Sequence, residues 1–578
     1  MRQGWLTLSM TQPLGELPDR ADVVVVGSGF GGSVVAEKLA AAGRDVCVLE
    51  RGKAYPPGSF PRGPRDFSAN FWNPSEGLYG MFNVWSFKGL DAVVASGLGG
   101  GSLIYANVML RKPDNWFRQP HPYRPGVDEV WSFTGADLAE HYRAVEEFLD
   151  LQTLPTEGRN RPLDPAFQLP KVTAFRAAPG VLPAPLAVQF LDGGGEPAIS
   201  APVPETAYPN LFGVPRRTCR MCGECDIGCN EGAKNTLDHT YLSAARAHGA
   251  ALHVLTEVQT ITRRPDGDFD VGVRQHRPGE HRIPLQFIRT RNVVLSAGAL
   301  GSTYLLLTNR DRLGLDNVAL GTRFCGNGDL LGFILNVAQG LDAWRGPVIT
   351  SYRPFVDEVN TGDPSDFGMY LQDAAFPQFA SWLVDAATSL DRLPEVAKMV
   401  AGQLFQRLRG RSNTRVSGDL SRLLGRPSVT TNGMPVLGMG MDVPNGTLYL
   451  NRRRGIDMLD STWSQHQSAA YFDTMVNRMV RLAADLRGGF MVNPTYRLRR
   501  VVTVHPLGGC PADTDVTDGV VDGFGRVRGV PGLRVCDGSV FPGPTGANPS
   551  LTIAAFADRV ATHMRDTDDA PWPEVRTA

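Results

Sequence analysis

The 578-residue sequence carries little net charge and no long apolar run, and both absences exclude classes of protein. Its 58 basic and 59 acidic side chains leave a formal net charge of -1, which gives no electrostatic reason to bind nucleic acid or an acidic membrane. No stretch of about 18 apolar residues is present, so no transmembrane helix is predicted. The first residues lack the basic start and apolar run of a secretory signal, and the usage of cysteine favours a reduced, cytoplasmic setting.

Cysteine is also scarce, with eight residues in the chain, and their distribution argues against a disulfide framework. Half of them lie in the stretch TCRMCGECDIGCNEGAKN, as Cys219, Cys222, Cys225 and Cys229. The spacing Cys-x2-Cys-x2-Cys-x3-Cys matches the ligand run of bacterial ferredoxins. It predicts an iron–sulfur cluster or a tight structural turn with packed thiols or a local disulfide. Zinc fits less well, because its sites usually join two separated ligand pairs.

The segment 21–52, ADVVVVGSGFGGSVVAEKLAAAGRDVCVLERG, follows the pattern of a dinucleotide-binding strand–helix–strand unit. A short valine run predicts a buried parallel strand, and the G-x-G-x-x-G pattern follows it at Gly27, Gly29 and Gly32. The first glycine permits a tight turn, the second lets a pyrophosphate approach, and the third lets the helix pack on the strand. Glu50 ends the second strand, where a carboxylate can bind a ribose hydroxyl. This unit alone does not separate NAD from FAD.

Three further segments favour FAD. A second glycine-rich loop lies in ASGLGGGSLIYANVMLRKPDNWF, and strand–turn–helix patterns lie in NVVLSAGALGSTYLLL and in GLRVCDGSVFPGPTGANPSLTIAAFADRVATHM. Nucleotide-facing segments so far apart in the sequence suit a long, bent cofactor. In the last of them Asn548 precedes Pro549, which is favoured at the first position of a helix. The amides of that helix end would stabilise an anionic reduced flavin.

These stretches, together with HPLGGC at 505–510, resemble the glucose–methanol–choline (GMC) oxidoreductases, and within them the cholesterol-oxidase-like branch. The resemblance implies an α/β fold, in which a Rossmann-type FAD-binding domain is interleaved with an α+β substrate-binding domain of antiparallel sheet and helices. The FAD domain is expected at 20–115, 205–330 and 500–570. The substrate domain is expected at 116–204 and 331–499, and tails at 1–19 and 571–578.

The resemblance also assigns residues to non-covalently bound FAD, since neither glycine loop contains a histidine for covalent attachment. The ADP half is expected at Gly27, Gly29, Gly32 and Glu50, with the backbone of Val258 against adenine. The pyrophosphate and ribityl region is expected at Asp537 and Gly538. The flavin ring is expected against Gly100, Gly101, Ser102 and Asn107.

Oxidation of an alcohol removes a hydride from carbon and a proton from oxygen, so a proton acceptor is needed beside the hydroxyl. His505 is the candidate, because histidine exchanges protons near neutral pH. The resemblance implies that Asn548 orients the substrate oxygen, where many relatives have a second histidine, and this favours the sterol-like branch. That branch also has an active-site glutamate on a strand of the substrate domain. Its counterpart is predicted at Asp373, with Gln372 as the competing position.

The middle of the chain leaves two interpretations open. The segment 376–425 has a broken helical pattern followed by arginines. It fits a lid with peripheral membrane contact, or two amphipathic helices packed on the substrate sheet, which is the more common arrangement. An aromatic segment between the two glycine loops favours an apolar substrate, although core packing explains the same residues: Phe67, Phe71, Trp72, Tyr79, Phe82 and Trp85.

The sequence therefore predicts an FAD-dependent oxidoreductase that converts an alcohol into a ketone or aldehyde. The favoured substrate is a bulky apolar secondary alcohol such as a 3β-hydroxysteroid, and oxygen or a redox partner accepts the electrons. One alternative is a dehydrogenase of sugars or other polar alcohols that exports electrons through the cysteine stretch. A second is a non-catalytic electron-transfer flavoprotein.

Overall fold

The structure is a computed structural model of the chain. It describes residues 17–62, 69–204, 208–277, 280, 283–356, 367–375, 432–453, 455–515 and 517–567. The segment 376–425, predicted as a lid or a helix pair, and Phe67 lie outside the described residues.

The described helices and strands are as follows, each numbered in chain order. The helices are α1 (Phe30–Ala41), α2 (Gly135–Phe148), α3 (Pro170–Arg176), α4 (Tyr241–Ala247), α5 (Gly298–Leu313), α6 (Ala469–Asp485), α7 (Pro494–Arg497) and α8 (Ser550–Thr567). The strands are β1 (Arg20–Val26), β2 (Val46–Leu49), β3 (Trp72–Asn73), β4 (Leu78–Tyr79), β5 (Phe82–Ser86), β6 (Leu90–Ala95), β7 (Arg118–Pro120), β8 (Asp128–Val130), β9 (Leu182–Pro183), β10 (Ala251–His253), β11 (Thr256–Arg263), β12 (Phe269–Gln275), β13 (Gln286–Leu295), β14 (Leu330–Leu335), β15 (Ser351–Phe355), β16 (Met369–Asp373), β17 (Met434–Gly440), β18 (Leu448–Arg453), β19 (Ile456–Ser461), β20 (Gly489–Val492), β21 (Val501–Thr503) and β22 (Leu533–Val535).

A seven-stranded sheet forms the dinucleotide-type half of the molecule. Its parallel part runs β10-β2-β1-β13-β22, and β12 and β11 extend it antiparallel beside the first half of β13. The valines of β1 are buried, as expected of a strand covered on both faces. Because parallel strands end at one edge, the turns after β1, β13 and β22 meet there, at Gly27, Ser296 and Cys536.

A six-stranded sheet forms the other half, in the order β20-β14-β17-β16-β15-β9, with every pairing antiparallel. Helix α6 covers it with a buried stripe that includes Met475 and Met479. Glycines on the sheet make room for these side chains: a Cβ on Gly438 would lie 2.4 Å from the Met475 sulfur. A Rossmann-type domain joined to a domain of antiparallel sheet and helices confirms the predicted fold class.

The predicted domain boundaries stay predictions, although the strands of the seven-stranded sheet all come from the segments expected to bind FAD. The packing of helix α2 does not follow the predicted division into domains. Helix α2 belongs to the expected substrate segment 116–204, yet it packs against α8, and its Leu138 and Tyr142 join the core around the seven-stranded sheet. None of the helices formed by the described residues is both long and apolar enough to cross a membrane.

Candidate active site

A cavity of about 820 Å3 is lined by residues from both sheets. One part is formed by the turns after β1, β13 and β22, at Gly27, Ser296 and Asp537. Another part is formed by strands of the antiparallel sheet, through residues such as Phe333 and Leu437. A ligand in the first part therefore lies next to a ligand in the second, as a cofactor and its substrate must.

The first glycine loop has the shape that a pyrophosphate requires. Gly27 has a φ of 99°, and a Cβ there would lie 2.3 Å from the Ser296 carbonyl oxygen, so only glycine fits. Gly29 lines the cavity, and a Cβ built on it would meet nothing within 4 Å. The first turn of α1 follows at Phe30 and Gly31, both on the cavity wall. The amides of a helix start have no intrahelical partner and attract an anion.

Glu50 and Val258 also line the cavity. The Glu50 carboxylate accepts hydrogen bonds from the Ser28 amide (3.2 Å), the Ser28 hydroxyl (2.6 Å) and the Gly52 amide (2.8 Å). An ionised carboxylate has about four acceptor sites, so one remains for a ribose hydroxyl.

Three other predicted cofactor residues divide between the cavity wall and its support. Asp537 and Gly538 line the cavity, and Asp537 accepts from the Ser302 hydroxyl (2.5 Å) and the Gly298 amide (3.0 Å), which ties β22 to the start of α5. Gly32 does not line it: its Cβ would lie 2.0 Å from the Gly27 carbonyl, so it serves the packing of helix on strand.

The second glycine loop lies on the cavity wall through Gly100 and Gly101, and a Cβ on Gly101 would meet nothing within 4 Å. Ser102 stands behind it, donating to the Gly99 carbonyl (2.7 Å) and accepting from the Leu237 amide (3.1 Å). Asn107 is fully buried, and neither its amide nitrogen nor its side-chain oxygen has a hydrogen-bond partner among the described residues.

These observations fit FAD on structural grounds. Open glycine backbone, a helix start and a carboxylate with a free acceptor site all line the cavity. The buried amide of Asn107, between the lining residues Ala106 and Val108, has no hydrogen-bond partner among the described residues. A buried polar group without a partner is costly, and a bound polar ring edge would supply one.

His505 lines the cavity and is held by a carboxylate that the sequence did not point to. Its Nδ1 lies 2.8 Å from Oδ1 of Asp329, which is almost completely buried. The other oxygen of Asp329 accepts from the Thr503 hydroxyl and the Val504 amide, both at 2.9 Å. Because the carboxylate is an acceptor, Nδ1 carries the proton, and Nε2 is free to take one from a ligand.

Asn548 also lines the cavity, at the start of α8, and its amide is oriented by Gln372. Gln372 Nε2 donates to Asn548 Oδ1 at 2.7 Å, and Asn548 Nδ2 donates to Gln372 Oε1 at 3.4 Å. Since the oxygen of Asn548 is occupied, its nitrogen keeps a hydrogen to donate to a ligand oxygen.

A short loop before β14 connects these two positions. Asn327 donates to the Ala547 carbonyl (3.0 Å) and accepts from the Gly546 amide (2.8 Å), which fixes the turn that leads to Asn548. Asp329, two residues later, holds His505. Neither residue belongs to a local pattern, so the sequence offered no signal for them.

Asp373, predicted as an active-site acid, does not line the cavity. It is completely buried, and its carboxylate accepts from the Thr350 amide (2.8 Å), the Thr350 hydroxyl (2.8 Å) and the Ser351 amide (2.7 Å), with Lys171 Nζ at 3.4 Å. Successive residues of a strand point to opposite faces, so in β16 the contact with Asn548 belongs to Gln372. The carboxylate of Asp373 is therefore engaged by groups of the protein and not directed at the cavity.

The four cysteines do not form a metal-binding group. In the part of the chain that the structure describes, no three His, Cys, Asp or Glu side chains are arranged to hold a metal ion, and the cysteines form no disulfide. Cys219 and Cys229 instead accept hydrogen bonds from the Met221 and Ala233 amides at 3.4 and 3.3 Å. Burial raises the pKa of the Cys225 thiol to about 12. The residues do not fit a cluster or zinc, and the structural turn fits them.

The cysteine turn nevertheless reaches the cavity, through Asp226 in the single helical turn Cys225–Ile227. Burial raises the pKa of Asp226 to about 6, against the opposing attraction of Lys234 and Lys171. The cysteines follow a recognisable spacing in the sequence, whereas no sequence pattern marks Asp226. The aromatic segment contributes Phe82 and Trp85 to the cavity wall.

Comparisons with known proteins agree with this geometry. A family profile described as GMC oxidoreductase matches residues 210–318 and 445–557, and one described as NAD(P)-binding Rossmann-like domain matches residues 25–58. The chain is 29% identical over 573 residues to a cholesterol oxidase of Mycobacterium tuberculosis (strain ATCC 25618 / H37Rv), covering 95% of this chain and 92% of the relative.

Two other similarities are informative. The chain is 26% identical over 567 residues to paromamine 6'-oxidase of Streptomyces fradiae, covering 93% of this chain and 90% of that protein. Its fold is similar to the crystal structure of pyridoxine 4-oxidase from Mesorbium loti, with a TM-score of 0.56 at 14% identity, over 95% of this chain and 100% of that one. The chain thus matches the GMC oxidoreductase models in two segments, is similar to cholesterol oxidases over most of its length, and is an FAD-dependent alcohol oxidoreductase.

Proposed function

We propose that this enzyme oxidises a bulky apolar secondary alcohol, such as a 3β-hydroxysteroid, to the ketone, with His505 as proton acceptor and Asn548 orienting the oxygen. The supporting observation is that the His505–Asp329 and Asn548–Gln372 pairs both reach one cavity. The cavity continues between apolar side chains, at Leu331, Phe333, Val348, Ile349, Pro435 and Leu437. Such walls favour a substrate with a large apolar body.

The side chains divide the proton chemistry between them. Nε2 of His505 accepts the hydroxyl proton, and the Asp329 carboxylate stabilises the imidazolium that results. Asn548 donates a hydrogen bond to the alcohol oxygen and so fixes its position relative to Nε2. The oxygen gives up a proton and the carbon a hydride, which together make the two-electron oxidation.

FAD, when bound, supplies the acceptor for the hydride. In the proposal it is held by the backbone at Gly27, Gly29, Gly100, Gly101 and Val258, and by Glu50, Asp537 and Gly538. Molecular oxygen or a redox partner receives the electrons afterwards. Export through a cluster at the cysteine turn is not part of the proposal, because those cysteines do not fit one.

A second candidate is a polar alcohol, favoured by the similarity to paromamine 6'-oxidase and by the carboxylate of Asp226 on the cavity wall. A substrate panel distinguishes the two. Anaerobic loss of flavin absorbance is followed with a 3β-hydroxysteroid, a long-chain secondary alcohol, paromamine and glucose. Rapid reduction by the first two and slow reduction by the last two is expected. The reverse order of rates would show that the substrate is a polar alcohol and would contradict the apolar substrate proposed here.

A further inference from the structure

Five carboxylates line the cavity: Glu50, Asp226, Glu257, Asp329 and Asp537. Four of them accept hydrogen bonds from groups of the protein. Glu50 and Asp329 are held by the donors described above, Glu257 accepts from Gln259 (2.9 Å) and is 3.1 Å from His276, and Asp537 accepts from Ser302 and Ser539. Among the described residues, nothing donates a hydrogen bond to Asp226. An acceptor on a cavity wall without a donor is a place where a ligand's donor fits.

The turn that carries Asp226 is fixed from both sides. Lys234 Nζ donates to the carbonyls of Cys225 (2.8 Å), Tyr105 (2.9 Å) and Leu103 (3.1 Å), which joins the cysteine turn to the second glycine loop. On the other side, Arg62 donates to the carbonyls of Ile227 (2.9 Å) and Gly228 (2.7 Å). Asp226 therefore stands on a support held in place before any ligand binds, which reduces the entropy lost on binding.

The alcohol that is oxidised cannot supply the donor. A hydroxyl has one hydrogen to donate, and in the proposed chemistry His505 takes it. Asn548 donates to the oxygen and accepts nothing from it. An ionised carboxylate only accepts, so Asp226 needs a hydrogen from another donor. The turn that carries Asp226 packs on the substrate part of the cavity, because the Gly223 amide donates to the Gly346 carbonyl (2.8 Å), two residues before the cavity-lining Val348. This contact favours a donor on the substrate.

The surrounding charges select the kind of donor. Lys171 pairs with Asp373 at 3.4 Å, and both are fully buried, so this pair is neutral as a unit. Lys234, the other cation near Asp226, then balances the Asp226 carboxylate. An ammonium group would bring an unbalanced charge into the cavity, whereas a hydroxyl brings none.

We infer that Asp226 accepts a hydrogen bond from a second hydroxyl group of the substrate, one that is not oxidised, and so determines specificity. The inference rests on the proposed function, because in that chemistry His505 accepts the proton of the oxidised hydroxyl. The substrate class becomes an alcohol with an apolar body and a further hydroxyl away from the reacting carbon.

Matched pairs of alcohols test this with the FAD-loaded enzyme. Each pair contains a diol and the same molecule without the second hydroxyl, on a steroid, an alicyclic and a sugar framework, and the steroid pair has a third member with an amino group at that position. For the diol that fits, kcat/KM should exceed that of its mono-ol by about 10- to 100-fold, mostly through KM, as expected for a hydrogen bond to a charged group. Asp226→Ala should erase this preference by weakening the diol alone, and the isosteric Asp226→Asn should retain part of it.

A control from the same cysteine stretch is Glu231→Gln. Glu231 lies 3.7 Å from Arg220 and does not line the cavity, so this variant should keep the wild-type preference. Dissociation constants of the corresponding ketones, from the change in flavin absorbance on binding, should show the same ratios without turnover. FAD content and the thermal unfolding midpoint check the fold of each variant.

Four outcomes would contradict the role of Asp226, the nature of its ligand group or the proposed function. An equal diol preference in the wild type and in both Asp226 variants, or no preference in the wild type, refutes the role of Asp226. If the wild type prefers the amino member and Asp226→Ala loses that preference, the group that binds Asp226 is an ammonium and not a hydroxyl. Failure of every alcohol to reduce the flavin refutes the proposed function itself, which distinguishes it from a failure of the Asp226 assignment alone.

Discussion

The two ends of the cavity are built differently. At the dinucleotide end, Gly27, Gly29 and Glu50 come from one strand–helix–strand unit, and Glu50 is held by Ser28 and Gly52 from that same unit. At the substrate end, His505 is held by Asp329 and Asn548 by Gln372, and each pair is separated by 176 residues in the sequence. The cofactor end is encoded locally, and the reacting end exists only after the two sheets have assembled.

This difference predicts what substitutions do. A change at the dinucleotide end should act on cofactor binding and on stability, whereas a change at the substrate end should act on the rate of the reaction with FAD still bound. Three substitutions test that separation.

The largest effect is expected for His505→Gln. Loss of the proton acceptor should slow anaerobic flavin reduction by the best alcohol about 10²- to 10⁴-fold, the usual contribution of a general base. FAD content should remain that of the wild type, because His505 is not among the residues proposed to hold FAD. Stopped-flow absorbance measures both. An unchanged rate would remove the proposed role of His505.

A smaller effect is expected for Asp329→Asn. The variant keeps an acceptor for Nδ1 but loses the charge that stabilises the imidazolium, so flavin reduction should slow about 10- to 100-fold. Because Asp329 acts through His505, the double variant Asp329→Asn/His505→Gln should be no slower than His505→Gln. Additive losses in this double-mutant cycle would show that Asp329 acts independently.

The smallest effect on the reaction itself is expected for Gly27→Ala. Its Cβ would clash with the Ser296 carbonyl at a φ of 99°, which should destabilise the folded chain by about 1–3 kcal/mol and lower its FAD content. The matched control is Gly29→Ala, whose Cβ meets no protein atom within 4 Å; it should weaken FAD binding while leaving the unfolding of the apoprotein unchanged. Calorimetry and FAD titration separate the two, and equal unfolding midpoints for both apo variants would contradict this assignment.

The same contrast explains how much the sequence alone could provide. Gly27, Gly29, Gly32 and Glu50 could be predicted because their roles depend on neighbours within one short unit. The partners Asp329 and Asn327 could not, since no local spacing marks a contact across the assembled fold.

The prediction for Asp373 depended on which residues of β16 share a face. All five residues of β16 are buried, so its sequence lacks the alternation of polar and apolar residues that shows which side chains share a face. A shift of one residue exchanges Gln372, which orients Asn548, for Asp373, which pairs with Lys171. At the cysteine turn, spacing predicted ligands where the thiols serve packing, and the residue of functional interest is Asp226 between them.

The loop at 325–329 has a mechanical consequence. Asn327 and Asp329 are two residues apart in the sequence. Asn327 forms hydrogen bonds with the turn before Asn548, and Asp329 forms one with the ring of His505. Because one peptide segment supports both reacting groups, a change in that segment would disturb both together, and its geometry helps to set their spacing around the hydroxyl.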